Sequence, residues 1–130
     1  MEQYKAYLFD CDGTLIDTTE LIYQCFVYSC RKFGNISVTR DQVFANIGIP
    51  LRTQLQQFLD PLSDEKASEI TSAHMEFQLS IYNDHLQLFP GISETLSQLK
   101  DKGKKLAVVT SRKTHTLSLF FPSLIFYALL

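Results

Sequence analysis

Asp10 and Asp12 stand two residues apart behind the apolar run Ala6–Phe9, inside the stretch LFDCDGTLID of residues 8–17. In an extended chain such residues face the same way. Both carboxylates can therefore point into the crevice beyond a strand's C-terminal end, where open α/β sheets bind ligands. Two carboxylates so close push each other's protonation apart or recruit a cation. Either outcome suits phosphoryl transfer, with one carboxylate ionised as nucleophile, the other shuttling a proton, and Mg²⁺ offsetting the negative charge. Gly13 lets the chain turn sharply, and backbone N–H groups freed by that turn can face phosphate oxygens.

A calcium-binding loop also begins D-x-D, but it needs glycine at its sixth position and glutamate at its twelfth. Counted from Asp10 these are Leu15 and Leu21, so that reading fails. A solvated acidic turn is the bland alternative, and the preceding strand pattern speaks against it. Asp17 has no assigned chemistry and is placed at a hinge.

The elements that must hold these residues follow from periodicity. A buried parallel strand is expected from about Lys5 to Asp10. Ile22, Phe26, Ser29 and Phe33 then share a helical face, and Gly34-Asn35 stops that helix. Thr39 reads as the N-cap of a helix reaching about Asn46, Gly48-Ile49-Pro50 breaks the chain, and a further helix covers about Leu51 to Leu59. Ser63 caps a long helix in which Ala67, Ile70, His74, Phe77 and Ile81 form a stripe, where His74 reads as a packing residue rather than a functional one. After Pro90-Gly91 comes a helix with Ile92, Leu96 and Leu99 on one face and Gly103 just past its end. Leu106 to Val109 is a second buried strand, delivering Thr110 and Ser111 at its C-terminal end. The sum is an α/β chain, a βαβ crossover with an all-helical block of residues 18–86 inserted after its first strand.

Bulk properties narrow the function. The 130 residues carry a net charge of −2 without a basic stripe, so nucleic acid is not an expected partner. No stretch is long and apolar enough to suggest a membrane span, and Glu2, Gln3 and Tyr4 do not resemble a secretory leader. Cys11, Cys25 and Cys30 lack CxxC spacing and fit neither a disulfide framework nor structural zinc, which points to a cytoplasmic setting. Residues 114–130 hold no Asp, Glu, Lys or Arg, and this apolar tail raises the expectation of self-association.

Three stretches together resemble the haloacid dehalogenase-like hydrolases, of the phosphoglycolate phosphatase and pyrophosphatase type with a helical cap. They are FDCDGTLIDT at residues 9–18, NIGIPL at residues 46–51 and LFPGISETLSQLKDKGKKLAVVTSRK at residues 88–113, in that order. The resemblance implies a Rossmann-like parallel-sheet core of residues 1–17 and 85–130 with an inserted α-helical cap of residues 18–84, and a Mg²⁺-dependent phosphatase of small phosphorylated metabolites. It casts Asp10 as nucleophile and metal ligand, and Asp12 as general acid and base with its backbone carbonyl on the metal. It further implies phosphate contacts from Thr110, Ser111 and the loop of Cys11 and Gly13, and a specificity loop in the cap at Gly48, Pro50, Leu51 and Arg52. For Arg52 a solvated helix-start arginine is as good a reading, and the same holds for Arg112 and Lys113 beside Thr110. Relatives that displace halide lack the second aspartate, so Asp12 argues against dehalogenation.

The resemblance also implies a later lysine and an acidic pair that complete the site. No lysine or acid follows Lys113, so a shortened or frame-altered phosphatase with impaired activity is expected. The alternative is a non-catalytic phosphate-binding or interaction module of phosphatase descent, and a phosphomutase is a third option because it shares the aspartate pair.

Overall fold

The computed structural model describes residues 4–110, so Ser111, Arg112, Lys113 and the apolar tail lie outside the described residues. Contacts divide the chain into two units. One is formed by the chain up to Thr18 and again from Leu86 onward, the other by Thr19–His85.

In the first unit β1 (Ala6–Phe9) pairs in parallel with β4 (Lys105–Val108), Tyr7 opposite Leu106 and Phe9 opposite Val108. A parallel pair needs a crossover connection, and α5 (Ile92–Asp101) supplies its last leg. Leu96 of α5 is buried with Cys11, Leu15 and Ile16, and Phe9, Leu106 and Val108 pack against that cluster. The end of α5 is fixed by Gly103 at φ +69°: its N–H donates to Lys100 O at 2.8 Å and the Lys104 N–H to Leu99 O at 3.0 Å. This is a glycine-terminated helix end that turns the chain directly into β4.

Two corrections to the sequence reading arise here. The apolar run of β1 is packed on one face only, because Phe9 and Val108 face the cluster while Leu8 is 71% and Val109 61% exposed. Alternation along a strand sends neighbours to opposite faces, and no described element of this unit lies over the second face. The sequence reading also missed a short antiparallel ladder, β2 (Ile16–Asp17) with β3 (Gln87–Leu88), extended by Phe89 N–H donating to Leu15 O at 3.1 Å. Two-residue strands carry too little pattern to be read from sequence.

The second unit is helical: α1 (Thr19–Gly34), α2 (Arg40–Phe44), α3 (Leu51–Leu59) and α4 (Asp64–His85). Its core gathers Phe26, Cys30, Val38, Val43, Leu55 and Ile70. Thr39 caps α2 through a reciprocal box with Gln42, in which Thr39 Oγ1 accepts from Gln42 N–H at 3.3 Å and Gln42 Oε1 accepts from Thr39 N–H at 2.8 Å. Ser63 Oγ accepts from the Lys66 N–H at 3.2 Å at the start of α4. His74 is buried on α4, shares a 2.9 Å hydrogen bond with Ser29 Oγ of α1 and meets the Phe26 ring edge-on. Burial pushes its imidazole down to about 4, and pushes the Cys25 and Cys30 thiols up to about 12 and about 11, so all three stay neutral near pH 7. No helix among the described residues is long and apolar enough to cross a membrane.

Candidate active site

The parallel register decides what comes together in the first unit. The ladder runs one step beyond the strands, with Val109 N–H donating to Phe9 O at 2.8 Å. Asp10 therefore leaves β1 level with Val109, and Thr110 leaves β4 beside the turn that begins at Cys11. Asp10, Asp12 and Thr110 thus emerge at the same C-terminal end of one strand pair. Open α/β sheets collect ligands at that end.

The turn after β1 is held from inside. Cys11 is buried, and its carbonyl accepts from the N–H groups of Thr14, Leu15 and Ile16 at 3.4, 2.9 and 3.0 Å. Gly13 sits at φ +74°, a left-handed conformation that side chains disfavour, and a bridge between Asp12 and Ile16 closes the turn. Leu15 and Ile16 anchor it in the apolar cluster. The carboxylate of Asp10 is exposed, and its Oδ1 accepts from the Cys11 N–H at 2.8 Å. That bond fixes the carboxylate at the mouth of the turn.

Here the structure departs from one expectation. The Gly13 N–H, expected to face phosphate, donates to Ile16 O at 2.9 Å, and the Cys11 N–H is spent on Asp10. A tight turn with two left-over amides satisfies them locally, since unpaired backbone N–H groups are costly. In this conformation Cys11 and Gly13 shape the turn and aim Asp10. Thr110 is half-buried at the end of β4, while Ser111 lies outside the described residues.

As metal ligands, Asp10 and Asp12 offer hard oxygen donors, the kind Mg²⁺ takes, and Mg²⁺ commonly keeps several waters beside one or two carboxylates. The donor set therefore fits that ion in kind. Among the described residues no group of three or more His, Cys, Asp or Glu side chains is arranged to hold a metal.

In the helical unit, Gly48 (φ +98°) and Pro50 form the loop before α3, and Leu51 and Arg52 open the helix. Arg52 is engaged within the unit: its guanidinium donates to Ser68 Oγ at 3.0 Å, to Asp64 O at 3.2 Å and to Asp64 Oδ1 at 2.7 Å. It staples the start of α3 to the start of α4. Sequence reasoning passed over Gln54 in the same region, which is 7% exposed and donates from Nε2 to Ile49 O at 2.7 Å. The signal was present, because Gln54 is a polar residue within the apolar stripe Leu51, Leu55 and Phe58.

Comparison with known proteins places these features in context. A family model described as haloacid dehalogenase-like hydrolase matches residues 7–126. Pyrophosphatase PpaX of Anoxybacillus flavithermus is 32% identical over 115 residues, covering 88% of this chain and 52% of that protein. The Bacillus velezensis pyrophosphatase PpaX is 31% identical over 118 residues, covering 91% and 53%. Among solved structures, a haloacid dehalogenase-like family hydrolase from Streptococcus pneumoniae superposes with a TM-score of 0.81 at 26% identity, over 96% of this chain and 58% of that one. The chain spans about half the length of the curated relatives it matches.

Proposed function

Since the chain belongs to the haloacid dehalogenase-like hydrolase family, a lineage of phosphatases and pyrophosphatases, we propose that it carries the nucleophilic half of a phosphoryl-hydrolase site. Its substrates in this proposal are small phosphorylated metabolites or pyrophosphate. The observation that carries the reading is the β1–β4 register, which delivers Asp10, Asp12 and Thr110 to one strand end.

In the proposed reaction a carboxylate oxygen of Asp10 attacks phosphorus, and the bond from phosphorus to the leaving oxygen breaks. Asp12, protonated, gives its proton to that oxygen. Asp12, now ionised, takes a proton from water as the water attacks the aspartyl-phosphate, and inorganic phosphate leaves with Asp10 restored. The Thr110 hydroxyl donates to a phosphoryl oxygen, joined in the proposal by Ser111. Mg²⁺, held by the carboxylate of Asp10 and by Asp12, would offset charge on the phosphoryl group. The loop of Gly48, Pro50 and Leu51 is proposed to select the substrate, with Arg52 fixing the helix that follows it. A cytoplasmic setting is part of the same proposal, in keeping with three buried cysteines.

The test is hydrolysis of p-nitrophenyl phosphate and pyrophosphate with and without Mg²⁺, by the wild-type protein and by Asp10→Asn. Mg²⁺-dependent turnover lost in Asp10→Asn supports the proposal. Turnover that survives the substitution sinks the nucleophile assignment, and a folded wild-type protein that binds phosphate without turning it over supports a non-catalytic binding module instead.

A further inference from the structure

Gln54 sits where the pattern of α3 asks for an apolar residue, one helical turn after Leu51 and beside Leu55. It is 7% exposed, and only one end of its amide is used: Nε2 donates to Ile49 O at 2.7 Å, while Oε1 is buried without a partner among the described residues. Burying an acceptor without a partner is unfavourable, and an apolar side chain of similar size would fill the position at less cost. Local rules broken in this way concentrate where function demands it.

The beneficiary is the loop ahead of α3. Ile49 follows Gly48, which sits at φ +98°, and precedes Pro50, which provides no side-chain cap for the helix. Ile49 N–H donates to Asn46 O at 3.1 Å and Ile47 N–H to Phe44 O at 3.2 Å, so the loop has its own short bonds. Beside the backbone bond from Gln54 N–H to Pro50 O at 3.1 Å, the Gln54 side chain adds a bond that ties the loop to α3 from within the core. We infer that Gln54 is a positioning residue: its amide clamps Ile49 and so keeps the Gly48 turn in a single conformation for substrate selection. This rests on the reading of that loop as substrate-selecting.

The experiment pairs native-state amide exchange at Ile47 and Ile49 with kinetics on pyrophosphate and p-nitrophenyl phosphate. In Gln54→Leu the exchange should quicken by about ten-fold or more while the thermal midpoint moves little. KM for pyrophosphate should rise about five-fold or more with kcat within about two-fold, and KM for p-nitrophenyl phosphate, which asks little of the loop, should hold. Gln54→Glu provides a second arm within one folded protein. A buried carboxyl is driven toward its neutral form, and that form restores a donor to Ile49 O. Loop exchange, corrected for its intrinsic pH dependence, should therefore match wild type in mild acid and quicken as pH rises. Unchanged exchange and unchanged KM in both variants would overturn the inference, as would an effect of Gln54→Glu independent of pH. If the wild-type protein hydrolyses neither substrate, the functional reading fails, and the exchange arms still decide whether Gln54 holds the loop.

Discussion

Asp12 has two duties in the proposed cycle, and they separate experimentally. p-Nitrophenolate leaves without needing a proton, so Asp12→Asn should still be phosphorylated by p-nitrophenyl phosphate. Water attack on the aspartyl-phosphate then lacks its base, a loss of roughly 10²–10⁴ in rate. The expected record is one rapid release of p-nitrophenolate per site followed by a near stop. Steady turnover at the wild-type rate would remove Asp12 from the chemistry.

His74 sets a pH dependence that has nothing to do with catalysis. Its folded value of about 4 lies below the ordinary 6.5, so the unfolded chain takes up a proton that the folded chain refuses. Stability of the helical unit should be level above pH 6.5 and fall as pH drops toward 4, by on the order of 3 kcal/mol in all. Urea unfolding at stepped pH measures this. His74→Asn should start from lower stability and show a flatter slope across that window.

At the scale of elements, the placing of Thr110 depends on how α5 ends. Gly103 holds φ +69° with nothing within 4 Å of an added Cβ, so Gly103→Ala meets only backbone strain. The expected loss is about 1 kcal/mol, read by denaturant unfolding. This helix end was legible in the sequence because Gly103 follows the last residue of a three-four apolar stripe. The α2 and α4 starts were legible for the same kind of reason, as Thr39 and Ser63 carry short side chains that satisfy first-turn amides. Pairing between segments distant in sequence was not. The β2–β3 ladder joins residues about 70 apart through two residues each, and the register of β1 on β4 is fixed by packing on Leu96 rather than by any local signal. At the site, Asp10, Asp12 and Thr110 could be named from their strand ends. The pairing of the Cys11 and Gly13 amides could not, because it depends on how Leu15 and Ile16 drop into the cluster. For Gln54 the helical spacing on the stripe of Leu51, Leu55 and Phe58 places it on the inner face, whereas its bond to Ile49 O depends on how the preceding loop folds and is not legible in the sequence.

At the scale of the whole molecule, Thr19–His85 has a core of its own around Phe26, Leu55 and Ile70. A fragment of those residues should be helical by circular dichroism and unfold cooperatively. Ile70 is fully buried there, and Ile70→Ala should cost about 2–5 kcal/mol. That is comparable to the entire stability of so small a unit, so the substituted fragment should melt near room temperature. The strand unit differs, since among the described residues Leu8 and Val109 stand exposed on one face of its parallel pair.

Asp10 acting as nucleophile would become phosphorylated, which mass analysis of peptides from protein quenched in acid during reaction with p-nitrophenyl phosphate and Mg²⁺ reads directly. One phosphoryl group is expected on the peptide containing Asp10, at higher occupancy in Asp12→Asn and absent in Asp10→Asn. Hydrolysis that proceeds with no phosphoryl group on that peptide, in the wild-type protein and in Asp12→Asn alike, would contradict it.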